Sequence, residues 1–171
     1  FLKIKEEMPK TDFSNILEQL KNSKQIILRT IDLFASLEYP KLERETDYLS
    51  LKEKEFYAII SGKISSNTGL FIDDDYKKHL TENIKEYATS KFVLKDNKPY
   101  ALGAIARMNN NHEQLGNETK AILKKTLSKL ELTLPLKNPH YNNLCQAIEL
   151  LDTVERSIKI IENMPEKQDI S

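Results

Sequence analysis

Apolar side chains at Phe13, Ile16, Leu17, Leu20, Ile27, Ile31, Phe34 and Leu37 recur mostly at steps of three, four and seven residues. That spacing lines one face of an α-helix. Thr11 or Asp12 stands where a short side-chain oxygen caps the first free N–H groups. Pro40 cannot continue the ladder, so the helix is expected to stop after Glu38 and Tyr39. A second stripe of the same kind runs through Leu144, Ile148, Leu151, Val154, Ile158 and Ile161. In front of it lies Asn138-Pro139, a cap followed by a proline whose missing N–H costs nothing in a first turn.

Between the stripes the period changes. Tyr48-Leu49-Ser50-Leu51 reads as a short strand in an otherwise charged loop. Phe56 to Ile60 and Leu70 to Ile72 are β-branched and aromatic runs, joined through Gly62 and Ser65-Ser66-Asn67-Thr68-Gly69, and predict a hairpin. A short helix is expected from Asp73-Asp74-Asp75 through Tyr76 and Leu80 to about Glu86. Lys91–Leu94 and Tyr100–Leu102 flank Asp96-Asn97-Lys98-Pro99 and predict a second hairpin. Asn117 caps a shorter helix carrying Ala121, Leu123, Leu127 and Leu130, which ends before Pro135. The fold class is therefore α+β and mostly helical: two long amphipathic helices plus shorter helices around one or two small antiparallel hairpins. Residues 1–10 read as a linker or fragment edge, 11–164 as a single domain and 165–171 as a polar tail.

Charge narrows the function classes. With 26 Lys+Arg against 26 Asp+Glu, the chain lacks the basic footprint of a nucleic-acid binder. No apolar run approaches the ~20 residues of a membrane span. A single cysteine, Cys145, excludes an internal disulfide framework and fits a reducing cytoplasm. The chain opens on Phe1 rather than a methionine, as a piece of something longer would.

Candidate chemistry is sparse. Asp73-Asp74-Asp75 offers hard carboxylate oxygens to a Mg²⁺ or Ca²⁺ ion, but it lacks the spaced ligands of a calcium loop and fits a helix N-terminus. His79, His112 and His140 are scattered, and Cys145 has no cysteine partner for a zinc or iron site. Cys145 sits on or beside the apolar stripe of the last helix, where a thiol acts as a small hydrophobe. Glu43 and Glu45 lie on a solvated charged stretch, and there is no GxGxxG, P-loop or GxSxG. The residues themselves give no catalytic group and no metal or cofactor ligand.

One stretch changes the picture. Gly103-Ala104-Ile105-Ala106-Arg107-Met108-Asn109-Asn110-Asn111 resembles the GALARxNxN stretch of nickel–iron hydrogenase large (alpha) subunits, in particular the cytoplasmic, sulfhydrogenase-like group. Its neighbours fall in the same order as that family's. Arg44 to Tyr48 resembles RExxYxxL, and Tyr57, Gly62, Ile64, Ser65, Ser66 and Gly69 follow a tyrosine, GxIxSS and a glycine. Glu82 with Tyr87 to Phe92, including Lys91, resembles ExxxxYSxAKF. Tyr100 and Leu115 hold their places, and Asn138 to Glu149 resembles NPxxNNLAxAIE. The resemblance covers roughly residues 12 to 163.

By that resemblance the chain is a middle segment, lying between the RxCGxC and DPCxxCxxH motifs that hold the family's nickel; neither motif is present here. Cys145 stands where the family usually has alanine and inherits no ligand role. The resemblance implies a nickel–iron centre in the parent and none bound by this chain. It implies the remainder of the large subunit and an iron–sulfur small subunit as partners, with self-association of the isolated piece. Gly62, Gly69, Lys91, Gly103, Arg107, Asn109, Asn138, Asn143 and Glu149 are its structural residues. Arg107 is expected to hydrogen-bond backbone carbonyls or a carboxylate such as Glu149, the alternative being a surface arginine. Two other function classes stay open: a free-standing helical interaction module, and a cation-dependent hydrolase built on Asp73–Asp75.

Overall fold

The two amphipathic stripes form the two longest helices, α1 (Ser14–Phe34) and α4 (Asn142–Glu162). They pack antiparallel along their apolar faces. Lys21 pairs with Glu162 at one end, and the rings of Tyr39 and Tyr141 lie 4.5 Å apart at the other. The shared face buries Ile27 and Ile31 from α1 and Leu144, Ile148, Leu151 and Val154 from α4. Each such side chain contributes about 1.5–3 kcal/mol when fully removed from water.

The computed structural model describes residues 13–66, 69, 71–72 and 78–164. The expected linker, the Thr11 or Asp12 cap, Asp73–Asp75 and the polar tail lie outside the described residues. α1 ends at Phe34, short of Pro40. The Ser36 hydroxyl donates to the Leu33 carbonyl and the Tyr39 hydroxyl to that of Phe34, so side chains satisfy the terminal carbonyls before the proline is reached. Ile16 and Leu37, expected in the stripe, are exposed.

Among the described residues seven short strands follow: β1 (Asp47–Tyr48), β2 (Ser50–Lys52), β3 (Lys63–Ser65), β4 (Phe71–Ile72), β5 (Leu80–Asn83), β6 (Phe92–Lys95) and β7 (Tyr100–Ala101). Antiparallel β2-β3-β4 forms one sheet, antiparallel β5-β6 a second, and β1 pairs with β7 in parallel. The strand expected at Tyr48–Leu51 is thus divided between two sheets.

Three other expectations are corrected. Phe56–Ile60 is not a strand: Tyr57 and Ala58 are consecutive and both buried, whereas a strand sends successive side chains to opposite faces. The hairpin strand is instead Lys63–Ser65, paired with Phe71–Ile72. The helix expected to reach Glu86 is, over Leu80–Asn83, a strand paired with Phe92–Lys95, where a non-local partner overrides local propensity. The turn at Asp96-Asn97 forms with φ of 47° and 60°, closed by reciprocal Lys95 and Lys98 backbone bonds of 2.9 Å. The second strand then leaves that hairpin, and Tyr100 pairs with Asp47 instead.

Two helices complete the fold, α2 (Ala104–Asn111) and α3 (Asn117–Lys129). No element was expected at α2. The cap residue of α3 is Gly116 rather than Asn117, and its N–H donates to Asp152 Oδ1 of α4 at 2.6 Å. The fold is α+β and mostly helical, as the sequence predicts, with small antiparallel sheets and one parallel pair. No helix among the described residues is long and apolar enough to cross a membrane.

Candidate functional site

Helix α2 sits at the centre of the packing: Ala104, Ile105, Ala106, Met108 and Asn111 are all buried. It starts sharply. Gly103 has φ 89° and ψ −163°, a region essentially restricted to glycine. A Cβ there would also lie 3.2 Å from Asn142 Oδ1. That oxygen accepts the Ile105 N–H at 3.1 Å, so α4 supplies the cap that α2 lacks in its own sequence.

One turn on, Arg107 grips Glu149 of α4 with both arms of its guanidinium. Nε donates to Oε1 and Nη2 to Oε2, each at 2.7 Å. The Tyr57 hydroxyl donates to the same Oε1 at 2.7 Å, tying in the loop after β2. The Glu149 side chain is 10% exposed and that of Arg107 27%. The Glu149 hydrogen bonds hold the guanidinium pKa above its usual value. Burial, then the Glu149 charge, push the Tyr57 phenol far above its usual range. Glu149 therefore has both oxygens engaged and acts as an acceptor that fixes geometry rather than as a free base.

The last turn of α2 fans outward. Consecutive helical residues point about 100° apart, so three successive asparagines reach three places. Asn109 clamps Leu136, donating to its carbonyl at 3.0 Å and accepting its N–H at 2.8 Å. Asn110 Nδ2 donates to the Tyr48 carbonyl at 2.9 Å and Ser50 Oγ at 3.0 Å. Asn111 Nδ2 donates to the Leu51 carbonyl at 2.8 Å, while its Oδ1 is buried without a hydrogen-bond partner among the described residues. Eight residues of helix thus hold β1, β2, the loop before α4 and α4 itself.

The remaining sequence-named residues fall around this hub. Asn138 donates to the Pro40 carbonyl at 2.7 Å and accepts from His140 N–H at 3.0 Å, capping the turn into α4. Gly62 has φ 136°. Gly69 N–H bonds the Ser66 carbonyl. Lys91 pairs with Glu82 on the exposed β5-β6 hairpin, and Asn143 is exposed. Structure brings Gly103, Arg107, Asn109 and Glu149 together and leaves Lys91 and Asn143 outside. It adds Asn110, Asn111 and Asn142, which the sequence reading did not single out. The Asn109-Asn110-Asn111 run was the available signal, since three amides in a row are poor helix formers unless each has a partner.

Cys145 is buried, and burial followed by the Glu149 charge pushes its thiol up, away from a reactive thiolate. His79 lies against Asp96. Among the described residues no group of three or more His, Cys, Asp or Glu could hold a metal ion.

A second polar cluster joins α1, α3 and α4. Lys24 Nζ lies 2.6 Å from Glu118 and 3.5 Å from Glu155, and Thr119 Oγ1 donates to Glu155 Oε2 at 2.9 Å. Burial raises the Glu155 pKa above the ordinary carboxylate value of 4.5. A group that binds its proton more tightly folded than unfolded destabilises the fold as pH rises through its folded pKa. Glu118 shifts the opposite way, chiefly through its hydrogen bond to Lys24, so its contribution is lost only as pH falls below 4.5. Glu155→Gln keeps the Thr119 bond and removes the buried charge. Between neutrality and pH 4.5 the stability of the variant should depend less on pH than that of the parent, by urea melts at several pH values. An unchanged pH dependence would refute the assignment.

Over 147 residues, 84% of this chain, the sequence is 29% identical to sulfhydrogenase 1 subunit alpha of Pyrococcus furiosus. The chain is a relative of a segment of a hydrogenase alpha subunit. It spans about a third (33%) of that subunit's length. No protein-family model matches it. A nickel–iron centre held by cysteine pairs does not fit the donor set of this hydrogenase-related chain, whose one cysteine is buried in the helical core.

Proposed function

We propose that the chain is the middle, structural-core segment of a nickel–iron hydrogenase large subunit. The parent would oxidise H₂ reversibly and pass electrons to an iron–sulfur small subunit in the cytoplasm. This segment would hold no metal and be inactive alone, because its single cysteine cannot supply the thiolate pairs such a centre needs. The observation that carries the reading is the 147-residue match to a hydrogenase subunit. The α2 hub supports it, since it supplies what a buried metal site asks of its surroundings: backbone segments held in one arrangement by hydrogen-bonded side chains. Residues 11–164 act in this reading as one unit, with Gly103, Arg107, Asn109, Asn138 and Glu149 as its structural residues.

Sequencing the coding DNA on both sides tests it. An RxCGxC stretch upstream and DPCxxCxxH downstream in one frame are expected. A continuous frame without those cysteines, or stop codons close on either side, would replace this reading with a free-standing scaffold module without hydrogen chemistry.

A further inference from the structure

The loop between β2 and β3 is mounted rigidly and carries its apolar side chains outward. Ile60 is 94% exposed, Ile59 49% and Phe56 38%, while Tyr57 and Ala58 between them are buried. The loop is closed at its base by the Lys52–Lys63 strand pair. Tyr57 fastens its middle to Glu149 at 2.7 Å. At its far end Gly62 packs so closely that a Cβ would come within 2.8 Å of the Lys52 carbonyl oxygen. Charged Lys54 and Glu55 flank the apolar residues in sequence on one side and Lys63 on the other, and all three are exposed. An apolar centre inside a polar rim, pre-ordered before contact, is how a protein interface is built.

We propose that Phe56, Ile59 and Ile60 form the knob on which polypeptide of the same subunit, lying outside these 171 residues, is seated. This rests on the reading of the chain as a segment of a longer subunit. The matched stretch is 33% of the related subunit, so about two-thirds of a subunit of that kind lies beyond it. A second copy fits less well. A cleft of about 440 Å³ among the described residues, lined by Leu123, Leu127 and Leu132 together with Glu113, Lys120 and Lys124, contains none of the loop's residues. A knob entering the cleft of the next copy is a heterologous contact, which gives open chains unless its rotation happens to close a ring.

The test uses the complete natural gene product, with a benzophenone amino acid at position 60. Its intact mass is measured first, and photo-crosslinks are mapped by peptide mass spectrometry. Crosslinks from position 60 to a peptide of the same chain outside residues 1–171 are expected. Crosslinks to another copy or to a different subunit, or no protein crosslink, overturn the proposal while leaving the segment reading intact. A gene product no longer than this chain overturns both. Carbene footprinting of the unmodified product gives an independent answer should the variant misfold: Ile59 and Ile60 should be labelled roughly tenfold less than in the denatured product, as in the core of an interface. Equal labelling would sink the idea.

Discussion

Arg107→Ala will lower the stability of the protein by about 3 kcal/mol, because it strands a buried carboxylate. Glu149 loses two 2.7 Å hydrogen bonds and the Arg107 counter-charge, and keeps the Tyr57 hydroxyl. Breaking a buried pair from one side costs about 3–5 kcal/mol. The lower end applies here, since the Arg107 side chain is 27% exposed and water can partly replace it. For a unit of this size that corresponds to a melting temperature lower by roughly 6–12 °C. Tyr57→Phe should cost less, about 1–2 kcal/mol, because both Arg107 bonds to Glu149 remain. Replacing the three groups together, Arg107→Met and Glu149→Leu with Tyr57→Phe, should recover most of the loss, since neither an ion nor an unpaired hydroxyl is then left buried. Thermal melts of the four proteins decide it. A single Arg107→Ala variant as stable as the parent would show that the pair is not the hub's fastening.

Two adjacent leucines in α4 should behave as opposites. Leu151 is fully buried and Leu150 is 51% exposed. Leu151→Ala deletes three buried carbons from the α1–α4 contact and leaves a cavity, costing about 3–4 kcal/mol. Leu150→Ala should stay within roughly 0.5–1 kcal/mol, as surface changes do. Urea titration of each variant gives the comparison, with the slope unchanged if the fold is the same. Equal losses would refute the contrast, because a half-exposed leucine would then count as much as a buried one.

The long helices were legible because burial along a helix has a period that the sequence carries on its face. Leu144, Ile148, Leu151 and Val154 are spaced for one stripe and are buried as one stripe. The Asp96-Asn97 turn was legible for a similar reason, since the residues that tolerate positive φ stand where positive φ occurs. Strand partners were not legible. Leu80–Asn83 has no local pattern that names Phe92–Lys95, and a two-residue strand such as Tyr100–Ala101 takes its partner from whatever backbone packing brings near.

The hub divides along the same line. The residue types at Gly103, Arg107, Asn109 and Glu149 were visible in the sequence, and Glu149 was among the partners weighed for Arg107. What each one touches was decided elsewhere. Arg107 reaches across 42 residues to Glu149, Tyr57 across 92, and Asn110 across 62 to Tyr48. The first two are closed only when α4 lies against α2 and the loop after β2, the third only when β1 lies against α2. By itself, then, the sequence determined two amphipathic helices, a charge-neutral chain and kinship with a hydrogenase subunit, because periodicity, composition and motif order are all local or additive. The tertiary structure alone decided which carboxylate receives the guanidinium, which asparagine caps which backbone, and which isoleucine stands outside, because a hydrogen bond or a buried face exists only once distant segments share the same few ångströms.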